Sequence, residues 1–463
     1  MQTFNYHEGK ESPVKGEYCV LKSWVERVFV LFIVGLVGVS CSSTNPYARV
    51  DGAVSSGDYK SAETLLEENK TYIYSTRNDR ILYELDKGVL AHYAGKYDAS
   101  IELLQNGEQD ITEAYTQSIT KLTASAIVND NSKNYDGEDY EDVYINAFNA
   151  LNYYHKGDME GAVVEIRRMN EKLAYLETKY SALEAQMNTI DRRVQSQGLF
   201  SSKFANSALG RYLGVLFYRT NGDADDARID HDWLVAAYDN APDIYAFPVP
   251  GSLEEELNVP TGKARLNILA FAGLSPVKQE VVSYIPMVVT PDNIKIALPE
   301  LVHRPSSVNR IEVTIKGGQT FRLEQLEDVD AVVRETFKNK IALIERKTVI
   351  RSTIKGVTAV TTREVGRGLS TSDDSTVAAV GTLMNIFGSI GKAAADASEK
   401  ADLRMSRYFP GKAYAGGLTL DPGVYSFAVY YYGVDGSLIE SRAYENVSVK
   451  AETLNLVEAV CLK

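Results

Sequence analysis

Cysteine is scarce, with three in 463 residues. Cys19 and Cys41 fall in or at the end of a leader-like segment, so Cys461 is the one thiol left in the body and no disulfide framework is available. Histidine is nearly as rare. His7, His92, His155, His231 and His303 stand apart, none at metal-ligand spacing with another histidine or a cysteine. Basic charge is not in excess: the net charge is −13, the leader carries equal numbers of acids and bases, and no basic face is offered to nucleic acid. No nucleophile elbow, zinc-binding histidine helix or phosphate loop occurs. "SKNYDGEDYEDV" has the outline of a calcium loop. With Gly137 in sixth place, however, the first and twelfth positions are Ser132 and Val143, where carboxylates or their equivalents belong. These absences predict a protein without catalytic residues, metal or cofactor.

Long apolar runs are also missing. Val28–Val39 is a run of twelve apolar residues, and Ser375–Gly391 is an uncharged run of 17. Both fall short of the roughly 20 residues a spanning helix needs. The first instead has the length of a secretory core, with Lys22 and Arg27 before it and small residues after it. Val39 and Ser40 precede Cys41 as in a lipobox, although Gly38 replaces the usual larger aliphatic. Cys41 is therefore the expected site of lipidation, with 1–40 as leader and a true start expected near Leu21. An uncleaved anchor with an incidental cysteine is the alternative. The Gly/Ala-rich run 375–391 is expected to be a buried or hairpin helix, with contact to membrane or partner as the other option.

What is present is periodic. Gly57, Gly95, Gly157 and Gly222 are each followed, five positions on, by a small residue: Ala62, Ser100, Ala162 and Ala227. Leu66, Leu104 and Ile166 stand nine positions after the first three glycines, and His231 breaks the pattern in the fourth. Glycine permits the left-handed backbone between two helices, and the small residue lets them approach. This is the signature of tetratricopeptide (TPR) repeats, although the intervals of 38, 62 and 65 residues are not the regular 34 of an array. Residues 46–245 are expected to form a TPR-like α-helical solenoid.

"YAFPVPGSLEEELNVPTGK" marks a connector. Beyond it the pattern turns to β over 264–323, with a hairpin at Gly317-Gly318, and again over 413–462, with turns at Asp421-Pro422-Gly423 and Asp435-Gly436. Val333, Phe337, Ile341 and Ile344 recur at helical spacing between these stretches. The expected fold class is α+β and multidomain: the solenoid, then a β-sandwich over 262–463 interrupted by a helical insertion at 325–408.

Three stretches, "NYDGEDYEDVYINAFNALNYYHKGDMEGAVVEIRRMN", "AGLSPVKQEV" and "ADLRMSRYFPGKAY", resemble a family of uncharacterised bacterial envelope lipoproteins with TPR-like repeats and a C-terminal β domain. The third lacks the tryptophan of the family's usual form. The resemblance spans most of the chain after the leader. It implies an outer-membrane lipoprotein and no known activity.

Physical readings stand beside the resemblance. Glu138, Asp139 and Tyr140 precede a helix opened by Glu141 and Asp142, where acids favour the helix N-terminus. A partner site is the other reading of these residues. Asp402 and Arg404 are expected to pair and dock the insertion on the sandwich, and Pro410 to end its last helix. The expected function is a lipid-anchored scaffold or adaptor at the outer membrane, facing the periplasm and binding protein partners through its repeats in envelope assembly or cell-wall synthesis. The alternatives are an accessory subunit of an export or transport complex and a cell-wall-active enzyme.

Overall fold

The computed structural model describes residues 45–74, 77–120, 134–190, 203–286, 293–360 and 400–463. The leader, Cys41 and the run 375–391 lie outside them. The chain divides into two units, 1–48 and 49–463. Of the first, Asn45 to Ala48 are described, with the Tyr47 N–H bonded to Asn45 Oδ1 at 3.0 Å. The second unit contains all that follows.

Helices come first: α1 (Ala48–Ser56), α2 (Tyr59–Glu68), the single turn α3 (Lys70–Ile73), α4 (Arg80–Tyr93), α5 (Tyr97–Thr120), α6 (Asp139–His155), α7 (Met159–Ile190), α8 (Ala208–Asn221) and α9 (Ala224–Asn240). Three pairs pack as α4–α5, α6–α7 and α8–α9, each turning at one of the four glycines, while the fourth glycine, Gly57, joins α1 to α2, and α2 packs against α4. Gly57, Gly95, Gly157 and Gly222 have φ of +76°, +74°, +78° and +88°, the left-handed region closed to most side chains. The small residues five positions on are buried, as are Leu66, Leu104 and Ile166. Ser100 goes further, its hydroxyl donating to Gly88 O at 2.8 Å across the helix pair.

A short helical turn, α10 (Glu254–Leu257), leads into the sheet. The strands are β1 (Ala264–Leu274), β2 (Val277–Pro286), β3 (Asn293–Val302), β4 (Arg310–Ile315), β5 (Thr320–Asp328), β6 (Pro410–Leu420), β7 (Gly423–Tyr432), β8 (Leu438–Val449) and β9 (Asn455–Cys461), with helix α11 (Val329–Val360) between β5 and β6.

A two-sheet sandwich is the expected arrangement. The described strands instead form one seven-stranded sheet, ordered β8-β7-β4-β5-β6-β1-β9, and a separate β2-β3 ribbon. Strands from the two β stretches interleave: β4 and β5 sit between β7 and β6, so the stretches share one ladder rather than facing each other. The ends of the sheet approach one another, Tyr444 of β8 donating its hydroxyl to Glu458 O of β9 at 2.8 Å. The curled sheet surrounds a core that includes Leu266, Ile268, Val313, Phe427, Val429 and Tyr431.

Strand β1 explains where the helices go. Leu266, Ile268 and Ala270 face the sheet core, whereas Arg265, Asn267, Leu269 and Phe271 point the other way and are buried as well. A strand buried on both faces needs a second layer. The helices supply it: Phe148 of α6 stacks on Phe271 at 5.6 Å, and Asn267 donates to Tyr212 Oη of α8 at 3.2 Å.

The expected insertion start at 325 lies within strand. β5 runs to Asp328, with an irregularity between Gln325 and Glu327 that leaves Leu326 out of the pairing, while Glu327 stays in the ladder opposite Ala413. Its buried carboxylate accepts the Leu209 N–H of α8 at 2.6 Å and the Ser207 hydroxyl at 2.8 Å. Pro410 does not end a helix. It opens β6, a position where a strand tolerates a missing N–H, after irregular chain from 400 to 409. Among the described residues, no helix is long and apolar enough to cross a membrane.

Candidate functional site

The three stretches that carry the family resemblance meet in the interior, between the helical layer and the sheet. Glu138 is the N-cap of α6 and Lys278 sits in β2. Their charges pair, and the Lys278 ammonium also donates to Arg404 O at 3.2 Å. Lys340 of α11 approaches Glu138 at 3.0 Å and Asp136 at 3.1 Å. Burial alone would lower the Lys340 ammonium, but the charges of Asp136, Glu138 and Asp139 hold it well above its usual range.

Glu141 lies beneath this pair and caps the start of α6. It accepts the Glu138 N–H at 2.8 Å and the Tyr135 hydroxyl at 2.6 Å on one oxygen, and the Ser406 N–H at 2.6 Å on the other. Burial, then the neighbouring charge of Glu138, raise its carboxyl to about 7. Asp86 of α4 holds the next residues of the same loop. It accepts the Ser406 hydroxyl and the Arg407 N–H at 2.7 Å each, and the Tyr74 hydroxyl at 2.7 Å. Burial raises it to about 6 against those hydrogen bonds.

Each residue singled out from the sequence has a definite place. Asp139 opens α6 and pairs with Lys179 of α7 at 2.6 Å. Tyr140 is fully buried, its hydroxyl 3.4 Å from Ser406 O, with its ring edge-on to Phe409 at 5.9 Å. Asp402 and Arg404 do pair, through contacts of 2.7 and 2.9 Å. What Arg404 docks onto is not the sheet but the start of α4: its guanidinium donates to Asn78 O at 3.2 Å and lies 3.4 Å from Asp79. Pro410, at the head of β6, takes no part.

Sequence reading missed Glu141's second role, Lys278, Lys340 and Asp86. Asp86 left a signal: it follows Leu82 by four positions and so falls on the apolar face of α4.

A second brace ties helices to sheet. His92 Nδ1 is 2.7 Å from Asn152 Oδ1, and Nε2 is 2.7 Å from Glu458 Oε1 of β9. Both neighbours are acceptors, which calls for the doubly protonated ring. Burial works against that charge, but Glu458 outweighs it and the His92 pKa is raised. Burial would raise Glu458 too; the His92 charge and hydrogen bonds from His155 and His92 hold it down at about 2.

A cavity of about 890 Å³ lies on the helical layer. Tyr74, Asn78 and Asp79 line it and also hold Asp86 or Arg404. Lys70, Arg77 and Glu84 are among the other lining residues. The acids and bases of the buried cluster are engaged with one another. Among the described residues, no group of His, Cys, Asp or Glu is placed to hold a metal ion. Comparison of the chain with protein-family models, curated proteins and solved structures returns no match.

Proposed function

We propose that this protein is a lipid-anchored scaffold of the bacterial envelope, held at the outer membrane through Cys41 and facing the periplasm, that acts by binding protein partners rather than by catalysis. In this reading the helical layer is a TPR-like solenoid and carries the partner surface. The curled sheet plays the part a sandwich would, as the base on which the solenoid is mounted. The resemblance to envelope lipoproteins with TPR-like repeats belongs to the same proposal.

The observation that supports it best is the repeated helix pair. Four times the chain turns on a left-handed glycine and buries a small residue five positions later, and stacked helical pairs offer extended surfaces for protein ligands. The convergence of the three family-like stretches on one buried cluster gives the resemblance a physical basis: together they bind helices, ribbon and sheet.

Two experiments test the reading. In cells fed a clickable fatty acid, Cys41→Ser should abolish labelling and leave the precursor uncleaved; equal labelling would remove the anchor. For the partner surface, a photo-crosslinking residue at Tyr72, exposed beside the cavity, should give discrete adducts in intact envelopes, whereas one at Val434, exposed in the β7–β8 turn, should not. Adducts from Val434 alone would place the partner on the sheet.

A further inference from the structure

The outer face of α9 carries apolar and acidic residues for which the fold has no use. Its inner face, with Ala227, His231, Leu234 and Tyr238, is buried. The helical period brings Asp225, Ile229, Asp232, Trp233 and Asp239 to the opposite side, and all five are exposed, Ile229 by 43% and Trp233 by 48%. Ile229 and Trp233 are four positions apart and so lie side by side. α9 is the last helix of the layer. The end of a stacked helical array ordinarily turns a polar face to water, so an isoleucine beside a tryptophan there does nothing for the layer itself.

Trp233 is also held in position. The guanidinium carbon of Arg211 lies 5.5 Å from the centroid of its ring, and Arg211 is in turn paired with Asp230. Asn206 Nδ2 donates to Trp233 O. A large ring that is fixed and half exposed loses little freedom on association, which suits it to anchor a protein interface.

The acids set the charge of what docks there. Asp225 and Asp226 stand in the first turn, where a carboxylate favours the helix. Asp239 stands in the last turn, where a carboxylate opposes the helix dipole and no base offsets it. Arg228 is the one arginine or lysine of α9, and it faces Asp232 at 3.4 Å. The chain as a whole carries −13, so this face repels a second copy, nucleic-acid phosphates and an anionic lipid surface. A cationic segment with apolar side chains is complementary to it, its lysines or arginines facing Asp225, Asp232 and Asp239.

We propose that the outer face of α9 docks a lysine- or arginine-rich amphipathic segment of a protein partner, seated on Ile229 and Trp233. The proposal rests on the scaffold reading for the partner's being a protein. Its test uses a defined peptide and reads α9 alone, so its failure is distinguishable from failure of the Cys41→Ser or Tyr72 crosslinking experiments.

A fluorescein-labelled amphipathic peptide of leucine and lysine at helical spacing is titrated with the full chain and followed by anisotropy. It should bind, and more weakly as salt is raised. Peptides with glutamate in place of lysine, or serine in place of leucine, should bind at least tenfold more weakly. Trp233→Ala should weaken binding tenfold or more. Ile229→Gln should weaken it severalfold, and because Ile229 is exposed this variant decides the matter even where Trp233→Ala disturbs folding. Glu102→Gln, which removes an exposed acid of α5, should change nothing. With unlabelled peptide, tryptophan emission should shift to the blue, and in Trp233→Phe, which leaves Trp24 as the one tryptophan, it should not. Absence of binding, equal binding of the glutamate peptide, wild-type affinity in Trp233→Ala or Ile229→Gln, or an equal loss in Glu102→Gln would each overturn the proposal.

Discussion

Glu138 and Lys278 are 140 residues apart in the chain and pair in the interior, with side chains only 4% and 2% exposed. A buried pair contributes little net stability relative to apolar replacements, but removing one member leaves the other charge stranded.

The two single substitutions should therefore differ. Lys278→Met leaves Glu138 with Lys340 at 3.0 Å, whereas Glu138→Gln strips both lysines of a carboxylate. Denaturant unfolding should show Glu138→Gln losing about 3–5 kcal/mol and Lys278→Met clearly less, with the double variant recovering part of the larger loss. Equal losses would mean that Lys340 does not share Glu138.

Glu141 and Asp86 set a pH dependence. Both carboxyls are raised on folding, from 4.5 to about 7 and from 3.8 to about 6, so the folded chain binds more protons than the unfolded chain between those values. Their contribution to stability is present below about pH 4 and is lost as the pH rises toward 7. Glu458 has the opposite sign, but its contribution is lost only below 4.5, as the pH falls toward 2. That of His92 is complete below 6.5 and is lost as the pH rises through its raised value. Unfolding measured at pH 5 and at pH 6.5 reads these two carboxyls together with Glu84, Glu165, Asp230 and Glu327, which burial also raises. Wild type should be less stable at the higher pH, and Glu141→Gln should flatten the difference.

Two helical glycines should respond to alanine with opposite sign. A Cβ at Gly52, exposed in α1, meets nothing within 4 Å, so Gly52→Ala should stabilise by about 0.5–1 kcal/mol. A Cβ at Gly214 would overlap Asp230 Oδ2, and Asp230 is held by Arg211. Gly214→Ala should lower stability by about 1–3 kcal/mol, read from thermal or denaturant unfolding.

The helices should not stand without the sheet. Phe148, His92 and Tyr212 are buried against β1 and β9, and Tyr144 and Ser207 place hydroxyls on Glu327 of β5. Residues 46–245 expressed alone should bind a hydrophobic dye and melt without a sharp transition. A cooperative melt like that of the full chain would show that the helical layer folds by itself.

Local features were the legible ones. Each glycine turn between helices, the Gly317-Gly318 and Asp435-Gly436 hairpins, and the helix opening after Asp328 can be read from a few adjacent residues, because backbone conformation and side-chain period act over that range. The sheet order was not legible. Whether β4 pairs with β7 or with a strand of a second sheet depends on partners more than a hundred residues away, and either arrangement satisfies the same alternation. Arg404 shows the same limit: Asp402 is two residues away and was found, while Asn78 and Asp79 are more than 300 residues away and were not.

The parallel pairing of β1 with β9 has a consequence for synthesis. Asn455 Nδ2 reaches Arg265 O across 190 residues, and β9 closes the edge of β1 while bringing Glu458 to His92. Until residue 461 has emerged, β1 offers an apolar strand with one unpaired edge, the kind of surface that aggregates and that proteases and chaperones recognise. Chains stopped anywhere before β9 lack both the seal and the brace, and the cell can tell them from finished molecules without any dedicated mark.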